Sequence, residues 1–167
     1  MAKIISFKKA VKLAEELRKK GTKIIYTSGC FDILHIGHIN FLKRAKKFGG
    51  KRSVLFVGVE SDGYIRSRKG AHRPIFNQKT RVVVLSNINV IDFVIPFVKA
   101  NPKSIDYYNK RKLMGKHTYV CGRTNSEVLE AIKKESRELN FEIKIFDKDY
   151  DVSTTRIEKI LKKYFSS

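Results

Sequence analysis

The apolar run Lys23-Ile24-Ile25-Tyr26 leads directly into Thr27-Ser28-Gly29-Cys30-Phe31-Asp32-Ile33-Leu34-His35-Ile36-Gly37-His38. Beyond it, Ile39, Leu42, Ala45 and Phe48 recur at the spacing of one helical face. The run therefore reads as a buried strand, a glycine-containing turn, and a helix with two histidines in its first turn. Glycine lets the backbone approach a ligand closely. The unpaired N–H groups and positive dipole end of a helix start form a ready anion site. His35 and His38 place further donors beside that site. A nucleotide-phosphate site at the carboxyl end of a strand is the expectation.

The rest of the chain alternates in the same way. Ser6 is expected to cap a helix over Phe7 to Lys20, with Ala10, Val11, Ala14 and Leu17 inward and Gly21 ending it. Ser53 to Val59 is apolar almost throughout, as a parallel strand covered on both faces should be. A short helix over Glu60 to Arg68 follows, then a Gly- and Pro-containing loop from Lys69 to Ile75. Asn77 is expected to cap a helix over Gln78 to Asn87 that buries Val82, Val83 and Leu85. Val90 to Phe97 reads as a third strand, Ser104 to Met114 as a poorly patterned helix, and Thr118 to Cys121 as a short fourth strand. A helix from Asn125 or Ser126 to Leu139 and a strand over Phe141 to Phe146 follow. Ser153 caps a last helix through Lys163, which is expected to bury Ile157, Ile160 and Leu161. The alternation predicts one α/β domain over 1–167: a Rossmann-like, doubly wound parallel sheet of about five strands, helices on both faces. Its ligand site should lie at the carboxyl strand ends, where the strand order reverses.

Composition narrows the partners. A formal net charge of +20 raises nucleic acid and anionic membranes as possibilities. The cations are spread along amphipathic helices, and no aromatic residues interleave with Lys43-Arg44-Ala45-Lys46-Lys47 or Lys110-Arg111-Lys112 as base stacking requires. Anionic small molecules are the favoured partners, with no specific nucleic acid. No apolar run reaches membrane-spanning length, and the start of the chain lacks a signal-peptide pattern. With Cys30 and Cys121 as the only cysteines, a reducing cytoplasm is expected.

Each candidate constellation has a plainer reading. His35 and His38 lack a carboxylate or cysteine at metal-ligand spacing, so no protein-held metal is expected. Ser153-Thr154-Thr155-Arg156-Ile157 is a helix cap on any reading. Lys69, taken alone, is ordinary solvated surface, and His72 and His117 read as surface residues.

Residues 27–38, with their His-x-Gly-His ending, resemble the signature of the cytidylyltransferase-like nucleotidyltransferases, and Ser153-Thr154-Thr155-Arg156-Ile157 resembles that family's Ser-Thr-Thr-x-Ile element. Ser61-Asp62, Lys69-Gly70, Arg73-Pro74 and Arg81 resemble the segment after the second strand in sugar-phosphate adenylyltransferases, particularly the heptose-1-phosphate enzyme. The resemblance implies nucleotidyl transfer from a nucleoside triphosphate to a phosphorylated small molecule, with release of pyrophosphate. His35, His38 and Lys69 are then catalytic. Ser28, Gly29, Cys30, Phe31, Gly37, Arg81, Gly122, Ser153, Thr154 and Thr155 hold the nucleotide. Asp62 is assigned to the acceptor, while Asp32 either fixes the turn or helps place the acceptor. Mg²⁺ accompanies the triphosphate on phosphate and water ligands, and the protein is a homodimer. ATP with a sugar 1-phosphate is the first substrate pair implied. Glycerol-3-phosphate cytidylyltransferase and FMN adenylyltransferase follow, and a noncatalytic nucleotide- or RNA-binding relative is the alternative outside enzymes. The resemblance is interrupted at Gly122-Arg123-Thr124-Asn125, at Lys148-Asp149-Tyr150-Asp151 and over Lys99 to Met114.

Overall fold

The computed structural model describes residues 1–97, 116–123, 126–147, 150 and 152–165. The expected helix over Ser104 to Met114 lies outside these residues.

Apolar residues continuous along β2 (Lys23–Gly29) and β3 (Ser53–Val59) make both strands central. Ile24 and Tyr26 of β2 pack with Ala10 and Ala14 of α1 (Phe7–Lys19) and with Ile132 of α5 (Ser126–Leu139). Ile25 between them packs on the opposite face, with Leu42 and Ala45 of α2 (Ile36–Gly49) and Val82 and Leu85 of α4 (Gln78–Ser86). The two-residue period of a strand thus feeds two cores, one on each face of the sheet. Ser6 accepts from the Lys9 amide at 3.3 Å and Asn77 from the Thr80 amide at 2.9 Å, so both predicted caps form. Ser61 caps α3 (Asp62–Lys69) in the same way, moving that helix start past the expected Glu60.

With β1 (Lys3–Ile4), β4 (Phe93–Pro96), β5 (Thr118–Gly122) and β6 (Glu142–Phe146), the strands form one parallel sheet in the order β1-β4-β3-β2-β5-β6. The described strands number six rather than about five. The addition is β1, whose pairing of Lys3 with Phe93 and Ile4 with Val94 is too short to show as periodicity. From β2 the chain steps outward through β3 to β4, then returns to lay β5 on the other side of β2. The order reverses between β2 and β5, whose carboxyl ends are Gly29 and Gly122.

Three packing expectations are corrected. Val83 is 48% exposed, because α4 turns inward the face carrying Arg81, whose guanidinium finds acceptors there. Ile160 and Leu161 of α6 (Thr154–Phe165) are 57% and 46% exposed, since this helix buries only Thr154 in full. His117 is buried rather than on the surface: its ring stacks on Phe141 at 4.8 Å and meets Tyr26 edge-on at 5.7 Å. No described helix is long and apolar enough to cross a membrane.

Candidate active site

A cleft of about 370 Å³ opens at the carboxyl ends of β2 and β5, where the sheet order reverses. Its floor is the motif turn. Ser28, at the end of β2, makes a 3.2 Å hydroxyl–hydroxyl hydrogen bond with Tyr119 of β5. Phe31 and Ile33 then adopt left-handed φ values of 50° and 46°. That conformation disfavours bulky residues and costs on the order of 1–3 kcal/mol at each position. The surrounding bonds hold it. Both Asp32 carboxylate oxygens accept backbone amides, Oδ2 from Ile75 at 2.8 Å and Oδ1 from Phe76 at 2.9 Å.

His35 is the N-cap of α2, extended at φ −136°, and its side chain makes no capping bond. The ring is instead stacked on His38, centroids 3.8 Å apart, and His38 meets Phe31 edge-on at 5.5 Å. Gly37 permits this arrangement, because a Cβ there would stand 3.1 Å from the His35 ring and 3.5 Å from Val152. The Nδ1 atoms of both histidines are buried without a partner among the described residues. Burial foremost, with the His35 and Lys69 charges, pushes the His38 imidazole down to about 4, and burial lowers His35 too. Both rings are therefore neutral donors at neutral pH. Burial pushes the Cys30 thiol up, against the opposing charges of Lys69 and Arg81.

The opposite wall comes from α6. Ser153 accepts the Arg156 amide at 3.2 Å, the predicted cap, and Thr154 donates to the Asp32 carbonyl oxygen at 2.7 Å. Val152, Ser153, Thr154 and Thr155 line the cleft, facing Ser28 to Phe31, His35, Gly37 and His38 across it. Lys69, at the end of α3, and Gly122, at the end of β5, complete the predicted residues that line it.

Arg81, Asp62 and Asp32 do not line the cleft. The fully buried Arg81 guanidinium donates to the carbonyls of Phe76, Cys30 and Glu60 and to the Asp62 carboxylate, the last at 2.8 Å. It joins the motif turn, the end of β3, the start of α3 and the start of α4 from beneath. Asp32 is buried and spends its carboxylate on the loop. Of the two readings of Asp32, fixing the turn is the one its partners match.

Sequence reasoning missed Phe41, Arg44, Phe146 and Asp147, which line the side of the cleft toward β6 together with Cys121 and Tyr150. Arg44 lies over the Phe146 ring at 4.5 Å, and Phe41 meets that ring edge-on at 6.1 Å. Phe41 stands one turn after His38, and Phe146 ends a strand beside the reversal, so both had a positional signal. Arg123 and Asp147 bridge the ends of β5 and β6 at 2.7 Å, an exposed pair worth little in stability.

A turn ending a parallel strand, histidines at one helix start and hydroxyls at another converge on this one cleft. A family model described as Cytidylyltransferase-like matches residues 26–160, and the chain belongs to that family. The bifunctional protein HldE of Aliarcobacter butzleri is 38% identical over 119 residues, 71% of this chain and 23% of that protein. HldE of Helicobacter hepaticus is 32% identical over 154 residues, 80% of this chain and 31% of that protein. The chain thus spans less than a third of the length of these curated relatives. The crystal structure of a lipopolysaccharide core biosynthesis protein from Thermoplasma volcanium superposes with a TM-score of 0.59 at 27% identity, covering 78% of this chain and 100% of that one. Pantothenate synthetase from Thermus thermophilus, at 13% identity and a TM-score of 0.55 over 86% of this chain and 61% of that one, shares the fold.

Proposed function

We propose that the protein transfers AMP from ATP to a sugar 1-phosphate of the heptose type, making a nucleotide-activated sugar and releasing pyrophosphate. One observation carries the reading: two helix starts, at His35 and at Ser153, face each other across one cleft with Lys69 beside them. Helix starts favour anions, and two aimed at one volume suit a polyphosphate. The HldE relatives and the lipopolysaccharide core biosynthesis protein support a sugar phosphate as acceptor.

In this reading an acceptor phosphate oxygen attacks the α-phosphorus in line. The bond from that phosphorus to the bridging β-phosphate oxygen breaks, and pyrophosphate carries away the charge. No protein nucleophile is required, so catalysis is positioning and stabilisation of developing charge. His35 and His38 donate to the phosphoryl oxygens as charge accumulates. Lys69 neutralises the polyphosphate, and Thr155 and the first turn of α6 hold it. Mg²⁺ belongs to the same reading as a charge-neutralising escort of the triphosphate. The reading places that ion on phosphate and water ligands. The aromatic and arginine side of the cleft, Phe41, Arg44 and Phe146, takes the nucleoside. A cytoplasmic homodimer completes the reading.

The test supplies Mg²⁺, each nucleoside triphosphate in turn, and heptose 1-phosphate, glycerol 3-phosphate or FMN, and follows pyrophosphate. Release with ATP and heptose 1-phosphate is expected. Release only with CTP and glycerol 3-phosphate, or only with ATP and FMN, would move the substrate assignment. Absence of release with every pair, alongside a salt-sensitive RNA complex indifferent to ATP, would overturn the enzyme reading.

A further inference from the structure

Glu158 does not line the cleft, yet it is tied to it. It lies four residues after Thr154 on α6, so both side chains share one helix face. Thr154 reaches the Asp32 carbonyl oxygen at 2.7 Å, while Glu158 Oε1 accepts from Arg73 Nη1 at 2.7 Å. The second arm of the same guanidinium, Nη2, stands 3.2 Å from Asp32 Oδ2. The Arg73 side chain is 4% exposed, that of Asp32 0% and that of Glu158 20%. One buried arginine therefore joins the motif turn to the helix that carries Ser153, Thr154 and Thr155.

Apolar packing leaves the position of that helix weakly set. Thr154 is the one residue of α6 buried in full, and Ile160, Leu161 and Phe165 are 57%, 46% and 83% exposed. Beside the Thr154 hydrogen bond, a charged and largely desolvated pair of good geometry is then able to help hold the first turn at a set distance from the histidines. We propose that Glu158 is a positioning residue for triphosphate binding: through Arg73 it sets the first turn of α6 against the motif turn. The inference rests on the nucleotidyltransferase reading of the cleft.

The proposal has a sign that distinguishes it from plain electrostatics. Glu158→Gln removes a negative charge near an anion site, and Coulomb's law alone predicts tighter phosphate binding. Loss of positioning predicts weaker binding. The experiment is calorimetric titration of the full chain with inorganic tripolyphosphate and with ATP, alongside steady-state kinetics. In Glu158→Gln the Kd for tripolyphosphate and the KM for ATP should both rise about tenfold, with kcat and the acceptor KM within about twofold of wild type. Glu158→Asp keeps the charge but withdraws it by one methylene, and should show a smaller rise in the same direction. It also serves if Glu158→Gln fails to fold. Equal or tighter binding by these variants would overturn the proposal while leaving the reading of the cleft intact. If wild-type protein binds neither tripolyphosphate nor ATP, both fall together.

Discussion

Thr154 Oγ1 donates a 2.7 Å hydrogen bond to the backbone carbonyl oxygen of Asp32, and both residues are buried. The bond joins the last helix to the first motif of the chain, across 122 positions of sequence. It makes the two helix starts that line the cleft parts of one structure, with Ser153 and Thr155 on the same cleft as His35 and His38. Thr154→Val keeps the branched shape and removes the donor. The variant should lose about 1–3 kcal/mol of stability in urea unfolding, the cost of leaving a buried acceptor unmet. Its KM for the nucleotide should also rise, and an unchanged unfolding midpoint would show that the bond contributes nothing.

His38→Ala should lower kcat by about a hundred- to a thousandfold, the usual effect of removing one donor that meets charge in the transition state. Circular dichroism should remain that of wild type, because the ring packs at the cleft rather than in either core. Retained turnover would remove His38 from the reaction.

The depressed His38 pKa sets a direction with pH. The folded protein holds the ring at about 4, against an ordinary 6.5. The unfolded chain therefore binds the proton more readily, and acid favours unfolding. The stability from the neutral ring is complete above 6.5 and falls away as pH drops towards about 4. A histidine NMR titration of the free protein should place this resonance near the lower value. Saturating ATP should move it upward, since phosphate charge favours the imidazolium. No movement with ATP would separate His38 from the phosphates.

Arg81 and Lys69 should respond in opposite ways. Arg81→Met leaves the carbonyls of Cys30, Glu60 and Phe76 without a buried donor and Asp62 without its cation. A loss of about 3–5 kcal/mol is expected, read by urea unfolding or as insoluble expression. Arg81→Lys should recover part of it, since an ammonium cannot reproduce the guanidinium fork.

Lys69→Ala, at an exposed cleft position, should leave stability within about 0.5 kcal/mol of wild type. Its kcat/KM for the nucleotide should fall at least tenfold, the weight of one charge on a polyphosphate near a partly desolvated wall. A stability loss with normal kinetics would reverse the two assignments.

Several features of this protein were determined by the sequence alone, because the physics behind them is local. The apolar runs of β2 and β3, the caps at Ser6, Asn77 and Ser153, and the strand–turn–helix unit around His35 and His38 each depend on a handful of neighbouring residues. Helical spacing put Ile39, Leu42, Ala45 and Phe48 on one face for the same reason, and the structure buries Leu42 and Ala45 while leaving Phe48 38% exposed at the helix end. Tertiary structure alone decided what the charged side chains do. Arg81 reads in sequence as a phosphate ligand, yet is sealed beneath the turn by three carbonyls and a carboxylate from distant segments. The Arg73–Glu158 pair spans 85 positions and leaves no trace in spacing. Burying a charge requires partners that only the folded chain brings together. Ile160 and Leu161 stay outside against their helical pattern, because α6 buries only Thr154 in full.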